Sequence, residues 1–201
     1  EQRTINKKDV DEHLKQANSF KELPELAEYD AFVDSLWSEG KYREYIINFL
    51  MRHYYVRNQD LMFDIVDTKT ETLADRCKNY LWVNKSKKCI TYIRNLYKTA
   101  KIYGQKSYDI KNERFIRAVK CCQKYMYAFP ICDDPSLIGY HIKNMSFNKL
   151  GEGNCLKIII NHYRDNYVKI KEISQRRGTD MKTLMESYNI NYNMFNDTNS
   201  E

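Results

Sequence analysis

Over most of the chain the apolar residues recur at intervals of three and four rather than two, the period of a helix with one buried face. Six glycines and three prolines punctuate that pattern. Together they predict helices at about 7–19, 24–38, 41–57, 59–66, 70–83, 86–104, 111–129, 135–150, 153–175 and 180–189. Pro24 and Pro135 stand where the first turn of a helix tolerates a missing N–H, and Asp134 is placed to cap the second of them. "RRGTD" offers a glycine stop followed by a Thr or Asp cap for the last helix. Connections of two to six residues make successive helices antiparallel neighbours. The expected fold class is all-α, as stacked antiparallel helical hairpins or an irregular helical bundle. The expected domains are an N-terminal helix or arm over 1–20, a single all-helical domain over 21–190 and a disordered tail over 191–201.

One predicted helix stands out by charge. In "NKSKKCITYIRNLYKTAKIYGQK", residues 84–106, Lys87, Arg94, Lys98 and Lys101 fall on one narrow helical stripe, because 7, 11 and 14 residues are close to whole turns. Ile90, Ile93, Leu96, Tyr97 and Ala100 occupy the opposite arc. Such a helix buries its apolar side and turns its basic side to water or to an acidic partner. Arg94→Ala is then expected to change stability by less than about 0.5 kcal/mol, and Ile93→Asp by several kcal/mol.

Composition places that stripe in context. The 201 residues suffice for one domain, and the formal charge of +6 is concentrated: nine Lys or Arg and no acid lie between Arg76 and Tyr108. The six cysteines have no C-x-x-C spacing and two are adjacent, which suits reduced thiols rather than a zinc site or a secreted disulfide framework. The four histidines are scattered, so no metal is expected. No stretch reaches the roughly 20 apolar residues of a membrane span, which points to an intracellular protein, cytoplasmic or nuclear.

Two resemblances bear on function. In "LADRCKNYLWVNKSKKCITYI" Cys77 and Cys89 lie twelve apart, and in "RFIRAVKCCQKYMYAFP" Ala118 comes twelve residues before Pro130. With "LWSEGKYREYI" and "SFNKLGEGNCLKIII", these offsets over about residues 29–168 resemble the tetratricopeptide repeat. The resemblance implies turn glycines at Gly40 and Gly153, small second-helix residues at Cys89 and Ala118, and a terminal proline at Pro130. Tyr45 and Ile158 stand where that family has Ala, and Val33 where it has Gly. In "IKEISQRRGTDMKTLMESYNI", Ser174, Gly178 and Leu184 resemble the small, glycine and apolar positions of a helix-turn-helix over 170–190.

Catalytic chemistry finds no local pattern. Gly151 and Gly153 lack the G-K-S/T that grips phosphate, and Cys155 has no neighbouring base. Asp133 and Asp134 read as helix caps, and Tyr54, Tyr125 and Phe129 as core aromatics at helical spacing. The expected function is a non-enzymatic helical interaction or adaptor module, without cofactor, that holds a protein partner bearing an acidic surface or peptide. The alternative is DNA or RNA binding. The residues expected to meet partner or phosphate are Lys87, Arg94, Lys98, Lys101, Arg176, Arg177 and Lys182.

Overall fold

The computed structural model describes residues 23–67, 77–125, 129–188 and 190. Its helical layer is organised around one helix. Helix α1 (Leu26–Ser38) turns through Gly40, at φ +71°, into α2 (Tyr42–Tyr54). Eight consecutive residues of α2, Tyr45 to Arg52, are buried, so this helix is wrapped on every side. Its polar members are satisfied: Asn48 donates to the Met145 carbonyl at 2.8 Å, and Arg52 forks onto Asp30 at 2.5 and 3.0 Å. A 3₁₀ turn at Asn58–Leu61 then leads into the sheet.

Among the described residues the sheet has four strands in the order β1 (Phe63–Val66), β2 (Asn79–Asn84), β3 (Cys89–Arg94) and β4 (Lys106–Ile110). Strands β1 and β2 are parallel, and the other two pairings are antiparallel. "NYLWVN" and "CITYIR" are rich in aromatic and β-branched residues, which pack well on a pleated surface, and the turn 85–88 between them is polar. That turn is held by Asn84, whose Oδ1 accepts from the Ser86 hydroxyl at 2.8 Å and the Lys87 N–H at 3.2 Å. By register, Phe63, Leu81, Val83, Ile90, Tyr92 and Ile110 share the inner face and join the core. A short helix, α3 (Ala100–Tyr103), separates β3 from β4. Helix α4 (Glu113–Lys124), capped by Asn112 on the Phe115 N–H at 2.9 Å, lays Phe115, Ala118, Val119 and Cys122 into the core between sheet and α2.

Four helices complete the domain: α5 (Ile138–Met145), α6 (Gly151–Tyr163), α7 (Tyr167–Arg177) and α8 (Met181–Ser187). The C-terminal end of α7 is where helices meet sheet. Its last carbonyls have no partner within the helix. They are met by side chains from elsewhere: Lys106 Nζ on Gln175 at 2.5 Å, Arg94 on Arg176 at 2.6 Å, Arg57 on Arg177 at 2.8 Å and the Thr99 hydroxyl on Gly178 at 2.7 Å. Arg94 is fully buried, pairs with the equally buried Asp60 and lies 4.9 Å over the Tyr97 ring. Gly178, at φ +67°, allows this approach, since a Cβ there would come within 2.7 Å of the Thr99 hydroxyl.

The all-α expectation is therefore corrected to a mixed fold, and the domain over 21–190 is not all-helical. The segment read as helix 86–104 is a turn, strand β3, a loop and the four-residue α3; that read as 59–66 is a 3₁₀ turn and β1; and 79–83, within the predicted helix 70–83, is strand β2. The stripe fails for a simple reason. Residues seven apart point the same way on a helix but opposite ways on a strand, so Lys87 stands on the outer side of the sheet and Arg94 on the inner. The stretch predicted as one helix at 153–175 is two, α6 and α7, divided at Asn166, which caps the Lys169 N–H at 3.0 Å. Among the tetratricopeptide-like positions, Gly40 stands in a helix turn, Gly153 within α6, Cys89 in β3 and Ala118 in α4. The segments 1–20 and 191–201, with the helix predicted at 7–19, lie outside the described residues.

Two predictions follow from this packing. Arg94→Ala leaves the Asp60 carboxylate buried without its cation and is expected to destabilise the fold by about 3–5 kcal/mol, whereas Lys98→Ala, on the surface, stays within about 0.5 kcal/mol. Urea titrations of the two variants measure the difference. Burial pushes the Cys122 and Cys155 thiols up to about 12, so both stay protonated at pH 8. Iodoacetamide at that pH should modify them only after denaturation, as read by intact mass spectrometry.

Candidate interaction surface

The loop from β3 to β4 is built from the inside outwards. Asn79, fully buried at the start of β2, accepts the Asn95 N–H at 2.8 Å and the Leu96 N–H at 2.7 Å on its Oδ1, and donates to the Leu96 carbonyl at 3.0 Å. Gln105 closes the loop's base through Asn95 Oδ1 at 2.7 Å, and the Tyr97 hydroxyl spans it to the Gly104 carbonyl at 2.6 Å. The Tyr97 ring carries the Arg94 guanidinium at 4.9 Å and the Lys106 ammonium at 5.2 Å, and Thr99 ties the loop to α7. With these contacts made on its inner side, the loop turns other side chains outwards: Leu96 (38 % exposed), Lys98, Lys101, Ile102 (76 %) and Tyr103 (52 %).

Electrostatics separate two sets of cations. Beneath the loop, the Arg94 guanidinium and the Arg57 main-chain N–H meet the Asp60 carboxylate, while burial pushes Asp60 up and Arg94 pulls it back. Lys106 is drawn below the ordinary lysine value, first by burial and then by Arg94. Above it, Lys98 and Lys101 form no ion pair among the described residues. Two like charges therefore share the loop with an exposed apolar group, and the field they make falls on whatever approaches that face.

The residues singled out by sequence are not brought together. Arg94 is internal. Lys87 stands at the other end of β3, 2.8 Å from Asp109, and with Thr91 it holds that carboxyl below the usual carboxylate range. Arg176 donates to the His53 carbonyl at 2.8 Å, lies 4.9 Å over Tyr54 and pairs with Glu172 at 3.0 Å. Arg177 is buried between Glu152, at 2.7 Å, and the Tyr55 carbonyl, at 3.1 Å. Lys182 is exposed on α8, 3.9 Å from Glu186. Lys98 and Lys101 alone share a surface and are free of carboxylate partners. Sequence reasoning assigned Leu96 to a buried arc and passed over Ile102 and Tyr103. The signal for them was the bracket of Asn95 and Gly104, loop formers on either side of an apolar and basic run.

On the outer face of the sheet a concavity of about 910 Å³ is lined by Trp82, Thr91, Ile93, Ser107, Asp109 and Lys87, among others. Its charges are paired within it, Lys87 with Asp109 and Lys85 with Asp67 at 3.9 Å, so it offers no net charge to a ligand. Among the described residues no three His, Cys, Asp or Glu side chains converge as a metal site. No described helix is long and apolar enough to cross a membrane. Comparison with protein-family models, curated proteins and solved structures finds no match for this chain.

The loop's rigidity rests on Asn79. Asn79→Ala removes the acceptor of two backbone N–H groups and is expected to cost about 1–3 kcal/mol. Limited trypsin digestion should then cleave after Lys98 and Lys101 faster than in the unaltered protein.

Proposed function

We propose that the chain is a non-enzymatic interaction module, and that the loop 95–105 holds an acidic segment of a protein partner. One observation carries the reading: Ile102 is 76 % exposed on a loop whose inner side is held by the Tyr97 and Thr99 hydroxyls, and it follows Lys98 and Lys101, two lysines with no carboxylate partner among the described residues. Covering an apolar group so exposed lowers the free energy, and nearby charges of one sign select a covering surface of the other. Leu96 and Tyr103 extend the apolar contact, and Lys98 and Lys101 supply steering and register. Tyrosine beside lysine also suits interface anchoring, with a rigid ring and a polar tip. Cys89, Cys122 and Cys155 are buried thiols, which accords with a setting inside the cell, cytoplasmic or nuclear.

The test is affinity purification of the tagged protein against its Lys98→Glu/Lys101→Glu variant, each with and without nuclease, quantified by mass spectrometry. The partner should be recovered at least about tenfold less well by the variant, equivalent to about 1.4 kcal/mol, and nuclease should leave recovery by the unaltered protein unchanged. Equal recovery by both proteins would dismiss the surface. Loss on nuclease treatment would replace the protein partner by nucleic acid.

A further inference from the structure

Beyond that loop, the charge of the chain has a second outlet. From residue 84 to 125 there are twelve Lys or Arg against two acids, Asp109 and Glu113. Part of this excess is internal, as Arg94 and Lys106 show, and part is paired, as Lys85, Lys87 and Arg114 show. Apart from Lys88, Lys111 and the two lysines of the loop, helix α4 exposes what remains. Its inner side is spent on the core by Phe115, Ala118, Val119 and Cys122. Its outer side carries Arg117, Lys120 and Lys124, all exposed, at spacings of three and four, so they form one row about 10 Å long.

None of the three meets a carboxylate among the described residues. Arg117 lies 5.8 Å over the Trp37 ring and Lys124 5.4 Å over the Tyr125 ring, contacts that orient the cations without neutralising them. Beside the row runs a shallow groove of about 380 Å³ whose floor includes Ile116 and Cys121, and whose lining holds one acid, Glu113, against the three cations. At its end Tyr125 is 63 % exposed.

We propose that this face of α4 binds single-stranded nucleic acid. A row of unneutralised cations is complementary to a line of phosphates, an apolar floor receives the sugars, and an open tyrosine ring at the end of the row gives a base a stacking platform. An acidic peptide would meet the same cations, but only a nucleic acid carries a planar base on every charged unit, so the aromatic contact at Tyr125 favours the latter. The surface shares no residue with the loop 95–105, and the inference stands apart from the protein partner proposed there.

Fluorescence anisotropy with a labelled 20-nucleotide oligothymidine, at several salt concentrations, tests it on the full chain. The unaltered protein should bind at low salt with an affinity that falls steeply as salt rises. Arg117→Glu/Lys120→Glu/Lys124→Glu should weaken binding at least tenfold and reduce the log–log salt slope by about 2, since each phosphate contact on a single strand contributes about 0.7. Tyr125→Ala should weaken binding severalfold and leave the slope unchanged. Lys98→Glu/Lys101→Glu should bind as the unaltered protein does, which separates this surface from the loop. Circular dichroism melts confirm that each variant is folded, as expected for changes to exposed side chains. No binding at low salt, an unchanged affinity in the triple variant, or equal displacement by poly-glutamate together with no effect of Tyr125→Ala would overturn the proposal.

Discussion

The C-terminus of α7 is the point on which the structure depends. A helix end concentrates unpaired carbonyls and the negative pole of the helix dipole, and burying it without donors would cost several hydrogen bonds. Here the donors come from three distant places in the chain: Arg57 from the turn after α2, Arg94 and Lys106 from adjacent strands, and Thr99 from the loop between them. Cations are the right donors because they answer the dipole as well as the carbonyls. Their own desolvation is offset in part by Asp60, which is why an acid sits fully buried in the same cluster.

That junction has consequences outward. By holding Arg94 beneath and Thr99 beside it, it leaves the loop 95–105 little freedom, and Asn79 removes most of the rest. A loop tied down this way presents Ile102 and Tyr103 to water on a fixed support. Exposed apolar groups on a rigid support meet a partner with little ordering entropy left to lose, which favours binding through them.

The cations of this chain thus divide by what they touch. Those facing helix carbonyls or carboxylates hold the fold together, and their removal would be felt as lost stability. Those with no ion-pair partner among the described residues, such as Lys98 and Lys101 on the loop and Arg117, Lys120 and Lys124 on α4, contribute little to stability and remain available to ligands. Local sequence does not distinguish the two sets, since Arg94 and Lys98 are four residues apart in one basic run.

Local chemistry alone determined the helices α1, α2, α4 and α8, close to where period and caps place them. Asp134 and Asp180 do cap the turns they precede, on the Ser136 and Thr183 N–H groups at 2.8 and 2.9 Å. Such features involve residues within one turn of each other, so they are written in consecutive positions. Strands are different. The residues of "CITYIR" form an edge or a centre, a helix or a strand, according to what lies beside them, and β3 became a central strand because β2 and β4 pair with it on both sides. A continuous apolar run buried on both faces has no alternation to betray it. The same holds for the surface. Which lysines face water was decided by the tertiary structure, since the group that draws Arg94 inward is a carbonyl 82 residues further along the chain.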